Sequence, residues 1–255
     1  CFQMSSDKIT KSFRVVVLAD LHDHEFGKEN DELVKKIAGQ NPDLILMAGD
    51  MINGSSKDAH IAVGLVRKLS SYASIYYALG NHEIEYSNIM GDEYIKELED
   101  AGAVVLDQEY EDIEIQGNKI RIGAMYDYAF SLTDKEEEYH NQDSYKFLSD
   151  FTDTRYFKIY ITHRPEAFAW SIGEGKDNWD MDVVFSGHIH GGQVVLPFLG
   201  GLYGAEQGWF PDYVDGKYQL GTSVFFVTRG LGSNVQLLPR MFNLPQIMVV
   251  TINGK

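Results

Sequence analysis

Five short apolar runs along the chain each end in polar residues that could bind a metal ion. The runs are rich in β-branched residues and bounded by glycine or polar residues, which is typical of buried strands. Ligands of α/β sheets bind beyond the carboxyl ends of the strands, so we expect the polar residues to converge on one edge of one sheet. The runs and their polar ends are Val15–Ala19 with Asp20 and His22, Leu44–Gly49 with Asp50, Ile75–Gly80 with Asn81 and His82, Ile159–Thr162 with His163, and Val183–Gly187 with His188 and His190.

The segments between the first strands have the spacing of helices. Asp20 and Asp50, and then Asp50 and Asn81, are separated by about thirty residues, the length of a strand-helix-strand unit. Apolar residues at helical spacing fill these segments, and a third such segment ends just before Gly102. The predicted helices are residues 30–38, 59–69 and 91–101.

The second half of the chain departs from this alternation. Alternating apolar and polar residues around Gly117-Asn118 predict a β-hairpin. Residues 127–152 are polar, acidic and aromatic, and predict a loop followed by a short helix. Strand-helix units followed by hairpins predict two packed sheets flanked by helices, a fold of the α/β (α+β) class. The further predicted strands are residues 104–106, 110–115, 119–125, 217–220, 224–228 and 246–252.

The net charge limits the partners of the chain. Its 255 residues carry a formal net charge of −16 at pH 7, with an isoelectric point of about 4.8. This composition would not neutralise a phosphate backbone, so we expect no nucleic acid polymer as a partner. A small phosphate substrate is compatible with it, because bound divalent cations reverse the local potential.

Domain organisation and location follow from length and hydropathy. We expect residues 1–11 to be a disordered tag or linker remnant and residues 12–255 to form a single domain. No run approaches the length of a membrane span and no signal peptide is visible, so this chain itself is expected to be soluble. For the full-length protein we favour the membrane or cell envelope, reached through an N-terminal anchor that has been removed, with the cytoplasm as the alternative.

The candidate ligands combine nitrogen and oxygen donors without sulfur. Cys1 is the only cysteine, which excludes a thiolate site. Such a donor set suits Mn, Fe, Zn or Co rather than Ca. It exceeds what one ion needs, and predicts a hydrolase with two ions roughly 3.5–4 Å apart that activate water and clamp phosphoryl oxygens. The candidate ligands are Asp20, His22, Asp50, Asn81, His163, His188 and His190.

The alternation of side chains along a strand predicts the directions in which the candidate ligands point. Asp20 and His22 are two residues apart, so both side chains leave the strand on one side and can share one ion. The same spacing places His188 and His190 on one side of the chain. His82 adjoins Asn81 but points elsewhere, which makes it a candidate proton donor to a leaving oxygen. We expect Glu83 to orient His82 or to stabilise its charge.

These motifs together resemble the five sequence blocks of the calcineurin-like metallophosphoesterases, in order and in spacing. The blocks are Asp20-Leu21-His22, Gly49-Asp50, Gly80-Asn81-His82-Glu83, His163 and Gly187-His188-Ile189-His190. The resemblance implies a four-layer α-β-β-α sandwich. It implies one metal held by Asp20, His22, Asp50 and His190, and a second held by Asp50, Asn81, His163 and His188. It gives His82 the role of proton donor or transition-state stabiliser.

The C-terminal part is similar to a YkuE-like bacterial branch of this family, which is often attached to membranes. The motifs that carry this similarity are Gly191-Gly192-Gln193, Arg229–Ser233 and Leu244–Ile247, although glycine-rich segments also form ordinary turns. Some relatives cleave the pyrophosphate of a lipid-linked UDP-sugar. The stretch Met51–Ser55 lacks the arginine that protein Ser/Thr phosphatases carry there, which argues against a protein-phosphatase role.

Three functions remain open from the sequence. The favoured one is a dinuclear phosphoesterase that hydrolyses a phosphodiester, pyrophosphate or phosphomonoester of a small-molecule or lipid-linked substrate, with a lipid or cell-envelope component. A cyclic-nucleotide phosphodiesterase would share every metal block, and a noncatalytic metal-binding scaffold would keep the fold alone. Membrane association would use an anchor or an apolar patch, for which Trp209 and Phe210 are the candidates.

Overall fold

Two six-stranded β-sheets form the centre of the molecule. The computed structural model describes residues 1–126, 142–170, 179–204, 206–233 and 240–255. In spatial order, the first sheet contains β1 (Phe2–Ser6), β16 (Met248–Gly254), β2 (Phe13–Leu18), β3 (Leu44–Ala48), β4 (Ser74–Ala78) and β5 (Ala103–Leu106). Strands β2 to β5 are parallel to one another, and β16 lies antiparallel to β2.

The second sheet has a parallel centre with an antiparallel strand on each side. In spatial order it contains β14 (Gly216–Leu220), β15 (Ser223–Val227), β9 (Val183–Ser186), β8 (Phe157–Ile161), β7 (Asn118–Ala124) and β6 (Glu109–Ile115). Strands β15, β9, β8 and β7 are parallel, whereas β14 and β6 are antiparallel to their neighbours. The predicted hairpin around Gly117-Asn118 is therefore confirmed as the β6–β7 edge of this sheet.

The side chains of β2 show why these strands are continuous apolar runs. Val15 and Val17 belong to the core between the two sheets, together with Phe185 of β9. Val16 and Leu18 face the opposite side of the first sheet and join a second core. A strand that is buried on both faces has few solvent-facing positions, so after Arg14 near its start β2 carries no polar residue until it ends.

Helices cover the outer faces of both sheets. In chain order they are α1 (Asp31–Ala38), α2 (His60–Leu69), α3 (Asn81–Met90), α4 (Glu93–Asp100), α5 (Asp143–Thr152) and α6 (Pro165–Phe168). The first four contribute to the core on the outer face of the first sheet, for example through Ile37 and Val66. The last two contribute to the core on the outer face of the second sheet, through Phe151 and Phe168. The predicted α-β-β-α sandwich is thus confirmed.

Some expectations about individual segments are corrected. Residues 2–6, which we expected to be disordered, form β1, whose register pairs Phe2 with Val250 along a parallel ladder. This ladder and the burial of Met4 order the segment. An additional helix, α3, precedes the one expected at 91–101. Residues 127–141 of the predicted loop lie outside the described residues, and the short helix that follows them is α5.

Two short hairpins follow His190. Strand β10 (Val195–Leu196) pairs with β11 (Gly200–Gly201), and β12 (Tyr203–Gly204) pairs with β13 (Gly208–Trp209), both antiparallel. They expose large apolar side chains, with Trp209 64% and Phe210 55% exposed. Among the described residues, no helix combines the length and the apolar character needed to cross a membrane.

Candidate metal centre

The predicted ligands gather at the junction of the two sheets. Asp20, Asp50 and Asn81 follow β2, β3 and β4 of the first sheet, whereas His163 and His188 follow β8 and β9 of the second. The expectation of a single sheet edge was therefore wrong, because the carboxyl ends of two parallel sets meet across the interface. Asp20 and His163 are fully buried there, and Asp50 is 1% exposed.

The residues after β2 and β9 do not continue the strand. Asp20, His22, His188 and His190 have φ values of 54°, 49°, 72° and 49°, in the left-handed region. Strand alternation therefore does not direct these side chains, contrary to our prediction. Left-handed backbone costs about 1–3 kcal/mol at a non-glycine residue and clusters at functional sites. Backbone hydrogen bonds hold it, including one from the Asp20 N–H to the Gly49 carbonyl at 3.0 Å.

Asp20, His22 and His190 form a first cluster, with one ligand atom of each lying within 4.8 Å of the others. Nδ1 of His22 lies 3.0 Å from Oδ1 of Asn53, and Nδ1 of His190 lies 3.2 Å from the Gly232 carbonyl oxygen. An oxygen acceptor requires Nδ1 to carry the proton, so both rings present the Nε2 lone pair to the cluster. Nε2 of His190 lies 3.9 Å from Oδ1 of Asp20.

Asp50, His163 and His188 form a second cluster with the same spacing. His163 Nδ1 donates to the Ala48 carbonyl oxygen at 2.7 Å, so the neutral ring would present the Nε2 lone pair to an ion. That Nε2 lies 3.0 Å from Oδ2 of Asp50 and 3.1 Å from Nδ1 of His188. The three ligand atoms therefore surround one position.

Asp50 lies between the two clusters. Its Oδ2 is 3.9 Å from Nε2 of His22, which belongs to the first cluster. The clusters also approach each other through His163 of the second, whose Nε2 is 4.0 Å from Oδ1 of Asp20 in the first. The two clusters are thus contiguous, and Asp50 has the position that the family resemblance gives to a shared ligand.

The donors fit a pair of cations. Asp20 Oδ2, His22 Nε2 and Asn81 Oδ1 are buried and have no hydrogen-bond partner within the part of the chain that the structure describes. Buried polar atoms are nearly always paired, so such exceptions indicate a missing water or ion. Carboxylate, amide and imidazole donors without sulfur match Mn, Fe or Zn.

The cluster is also electrostatically perturbed. Burial raises the pKa of Asp20 to about 7 and lowers the pKa of His22 to about 4. Burial lowers the pKa of His163 as well, but the adjacent Asp50 carboxylate outweighs it and raises that pKa to about 9. Burial raises the pKa of Asp50, but His163 outweighs it and holds the pKa below its usual range. Shifts of this kind are concentrated at functional sites.

Sequence reasoning missed the contacts that orient the histidines. Asn53, which fixes His22, lies in the stretch where we noted only a missing arginine. No sequence motif pointed to Glu206, whose carboxylate lies 2.6 Å from Nε2 of His188. The two contacts join residues that are 31 and 18 positions apart in the sequence, so no local pattern predicts them.

His82 and Glu83 have separate surroundings. Gly54 N–H donates to Nδ1 of His82 at 3.1 Å, and the ring centroid of His82 lies 4.9 Å from that of His22. Glu83, expected to orient His82, instead accepts the backbone N–H groups of Asp50 and Met51 at 2.7 and 2.8 Å. Glu83 is therefore a support for the Asp50 turn.

The C-terminal motifs support Asp20. Gly230 has a φ of +71°, and a Cβ atom there would clash with Oδ2 of Asp20. The next residue, Leu231, donates its N–H to the Ala19 carbonyl at 3.0 Å. Gln246 Oε1 accepts the Arg229 N–H at 3.0 Å, which fixes this segment. The C-terminal motifs thus pack against the first cluster and fix the position of Asp20.

The calcineurin-like phosphoesterase family model matches residues 13–192, most of the chain and all of the predicted ligands. The chain belongs to this family. It is a metal-dependent phosphoesterase, a hydrolase of phosphate esters, and the family binds a pair of metal ions at clusters of the kind described above.

Similarity to individual relatives extends over nearly the whole chain. The uncharacterized metallophosphoesterase YkuE of Bacillus subtilis (strain 168) is 29% identical over 248 residues, which cover 95% of this chain and 79% of YkuE. The uncharacterized metallophosphoesterase Cj0846 of Campylobacter jejuni is 28% identical over 257 residues, covering 97% of this chain and 61% of that relative. The chain therefore spans less than two thirds of the length of Cj0846.

Two solved structures share the fold. A candidate 5′-nucleotidase from Staphylococcus aureus in complex with α-ketoglutarate superimposes with a TM-score of 0.53 at 11% identity, covering 96% of this chain and 55% of that one. The protein TT1561 of Thermus thermophilus superimposes with a TM-score of 0.51 at 12% identity, covering 86% of this chain and 90% of that one. Identities this low support the architecture alone.

Proposed function

We propose that the two clusters bind two divalent or trivalent ions, Mn, Fe or Zn, with Asp50 shared between them. The observation that carries this assignment is the set of three buried ligand atoms, on Asp20, His22 and Asn81, without hydrogen-bond partners among the described residues. The proposed ligands are Asp20, His22, Asp50 and His190 for one ion and Asp50, Asn81, His163 and His188 for the other.

Such a site hydrolyses a phosphate ester by attack of water on phosphorus. Cations bound there supply Lewis acidity toward phosphoryl oxygens and lower the pKa of water, which provides a nucleophile at neutral pH. His82 is the proposed proton donor. Because Gly54 N–H donates to its Nδ1, the neutral ring carries its proton on Nε2. From there it can protonate the leaving oxygen or stabilise charge on a phosphoryl oxygen.

We propose a substrate with a phosphodiester or pyrophosphate and a lipid or cell-envelope component. Exposed apolar side chains on the segments that follow His190 and Arg240 support this, including Phe198, Trp209, and Phe242. Met241 forms a bridge with Val194, which joins the two segments. Exposed apolar groups of this kind mark sites of contact with a partner, a lipid or a membrane.

The surface charge limits how a lipid substrate can be reached. A net charge of −16 repels an anionic bilayer, so attraction by charge does not account for docking. Insertion of aromatic and aliphatic side chains does not depend on that sign. We therefore assign docking to these apolar residues.

A turnover assay tests the function. The protein loaded with Mn should hydrolyse bis-(p-nitrophenyl) phosphate and lose this activity after chelation. Side-by-side assays with p-nitrophenyl phosphate, cyclic nucleotides and UDP-diacylglucosamine then separate the substrate classes. Absence of turnover with two bound ions would favour a scaffold, and activity confined to cyclic nucleotides would overturn the lipid-linked substrate.

A further inference from the structure

We propose that Glu206 is a positioning residue that sets the tautomer of His188 and thereby makes Nδ1 the nitrogen that binds metal. This inference rests on the proposed metal centre and adds a residue outside the motifs of the family. Glu206 lies in the turn between β12 and β13, 18 residues after His188.

The contact itself is short and polar. Oε2 of Glu206 lies 2.6 Å from Nε2 of His188. The Glu206 side chain keeps 27% of its area exposed, whereas that of His188 keeps 9%. A carboxylate only accepts hydrogen bonds, so Nε2 of His188 must be the donor. In the neutral imidazole, Nδ1 then carries the lone pair.

His188 is oriented in the opposite sense to the other histidines of the centre. His163 and His190 direct Nδ1 to carbonyl oxygens, of Ala48 and Gly232, and present Nε2. His188 presents Nδ1, which lies 3.1 Å from Nε2 of His163. Without a fixed acceptor at Nε2, the His188 proton could move to Nδ1 and block the lone pair. Glu206 supplies that acceptor and prevents this.

Neighbouring residues hold Glu206 in place. Nε of Arg164, the residue after His163, lies 3.9 Å from Oε1 of Glu206. Gln207 donates to the buried carboxylate of Glu166 and accepts the N–H of Tyr213 at 3.0 Å. Gln207 therefore attaches the turn to α6 and to the segment before β14, and Arg164 lies beside the Glu206 carboxylate.

The test compares metal binding in Glu206→Gln and Glu206→Ala with the wild-type protein. Asp212→Asn is the matched control, because it removes one carboxylate charge from an exposed position nearby. Competition titration of Mn²⁺ or Zn²⁺ against a chromophoric chelator gives the affinity for each ion. We expect Glu206→Ala to weaken one of the two ions about 10–100-fold, the usual effect of losing such a partner. Glu206→Gln keeps an acceptor and should lose less, and Asp212→Asn should match the wild type.

Combined variants identify which ion is affected. Added to His163→Ala, which removes a ligand of the second cluster, Glu206→Ala should cause little further loss. Added to His190→Ala, it should show its full effect. Nitrogen-15 NMR of the histidine rings in the metal-free protein should show His188 protonated at Nε2 in the wild type and a mixture in Glu206→Ala.

Three results would overturn the proposal. Unchanged affinity for both ions in Glu206→Ala, with unchanged ring signals, would show that the contact has no positioning role. Loss of a third equivalent of metal would make Glu206 a direct ligand. A wild-type protein that binds fewer than two ions would overturn the proposed metal centre as well, so the two failures are distinguishable.

Discussion

Glu83 lies in the first turn of α3, and its buried carboxylate accepts the backbone N–H of Asp50 at 2.7 Å. The same carboxylate accepts the N–H groups of Met51 and Gly80 at 2.8 Å and the hydroxyl of Tyr77 at 2.6 Å. It thereby ties the turn after β3 to the start of α3. The position of Asp50, the proposed shared ligand, thus depends on a second buried carboxylate, that of Glu83.

We predict that Glu83→Gln destabilises the protein. The amide would direct an NH2 group at backbone donors, and leaving buried donors unsatisfied costs about 1–3 kcal/mol. The free energy of unfolding in urea measures the effect. Glu99→Gln, the same change on the exposed surface of α4, should alter stability by less than about 0.5 kcal/mol. Equal stability of the two variants would contradict the supporting role of Glu83.

We predict that Asp50→Ala abolishes turnover and reduces bound metal from two ions toward one or none. Asp50 is the one proposed ligand that belongs to both sets. Asp50→Asn is a useful companion, because asparagine tolerates the left-handed backbone at φ 53° and keeps a neutral oxygen. Elemental analysis with parallel assays measures both effects. An active Asp50→Ala protein that retains two ions would rule out the assignment.

His163→Ala and His190→Ala should each weaken a different ion. The two residues lie in separate clusters, so each substitution removes a ligand from one set only. Stepwise titration with Mn²⁺ should show one strong and one weakened site in each variant, and the double variant should lose both. If the two variants had the same binding curve and the double variant were no worse, the two-cluster description would fail.

His82→Ala should keep both ions but lose roughly 10²–10⁴-fold in kcat, the usual contribution of a positioned proton donor. The loss should be smaller for p-nitrophenyl esters, because p-nitrophenolate leaves without protonation. His24→Ala is the control, since His24 is exposed. Equal losses with activated and unactivated esters would show that His82 acts on phosphoryl charge and not on the leaving group.

Gly230→Ala should weaken metal binding at the first cluster. The new Cβ would clash with Oδ2 of Asp20, and the backbone φ of +71° disfavours alanine. In Gly64→Ala, the matched control within α2, the Cβ meets no atom within 4 Å, and stability should rise by about 0.5–1 kcal/mol. Metal titration and thermal unfolding of both variants measure these effects. Normal metal affinity in Gly230→Ala would show that the packing of this segment against Asp20 is not needed for metal binding.

The strands and the ligand-type residues were predictable because strands buried on both faces leave a strong local pattern. A continuous apolar run such as Val15–Ala19 ends where the chain leaves the core, and polar residues there stand out. The directions of the side chains were not predictable. Asp20 and His188 adopt left-handed backbone, which depends on glycines and hydrogen bonds from other segments.

The sequence patterns of helix α3 and of the residues that hold the candidate ligands in place are less distinctive. Asn81–Met90 buries only Glu83 and Tyr86, so it lacks the apolar stripe that reveals an amphipathic helix. The contact of Glu206 with His188 joins residues that are 18 positions apart in the sequence. Pairings of this kind belong to the tertiary structure, and a single sequence contains no periodicity that encodes them.

Each cluster combines candidate ligands from both sheets: Asp20 and His22 meet His190, and Asp50 meets His163 and His188. Ions bound there would act as cross-links between the two halves of the sandwich. Because the unfolded chain does not bring these ligands together, the free energy of metal binding adds to the free energy of folding. Resistance to heat and proteolysis should then rise with the supply of free metal, so that the amount of intact enzyme in a cell follows metal availability.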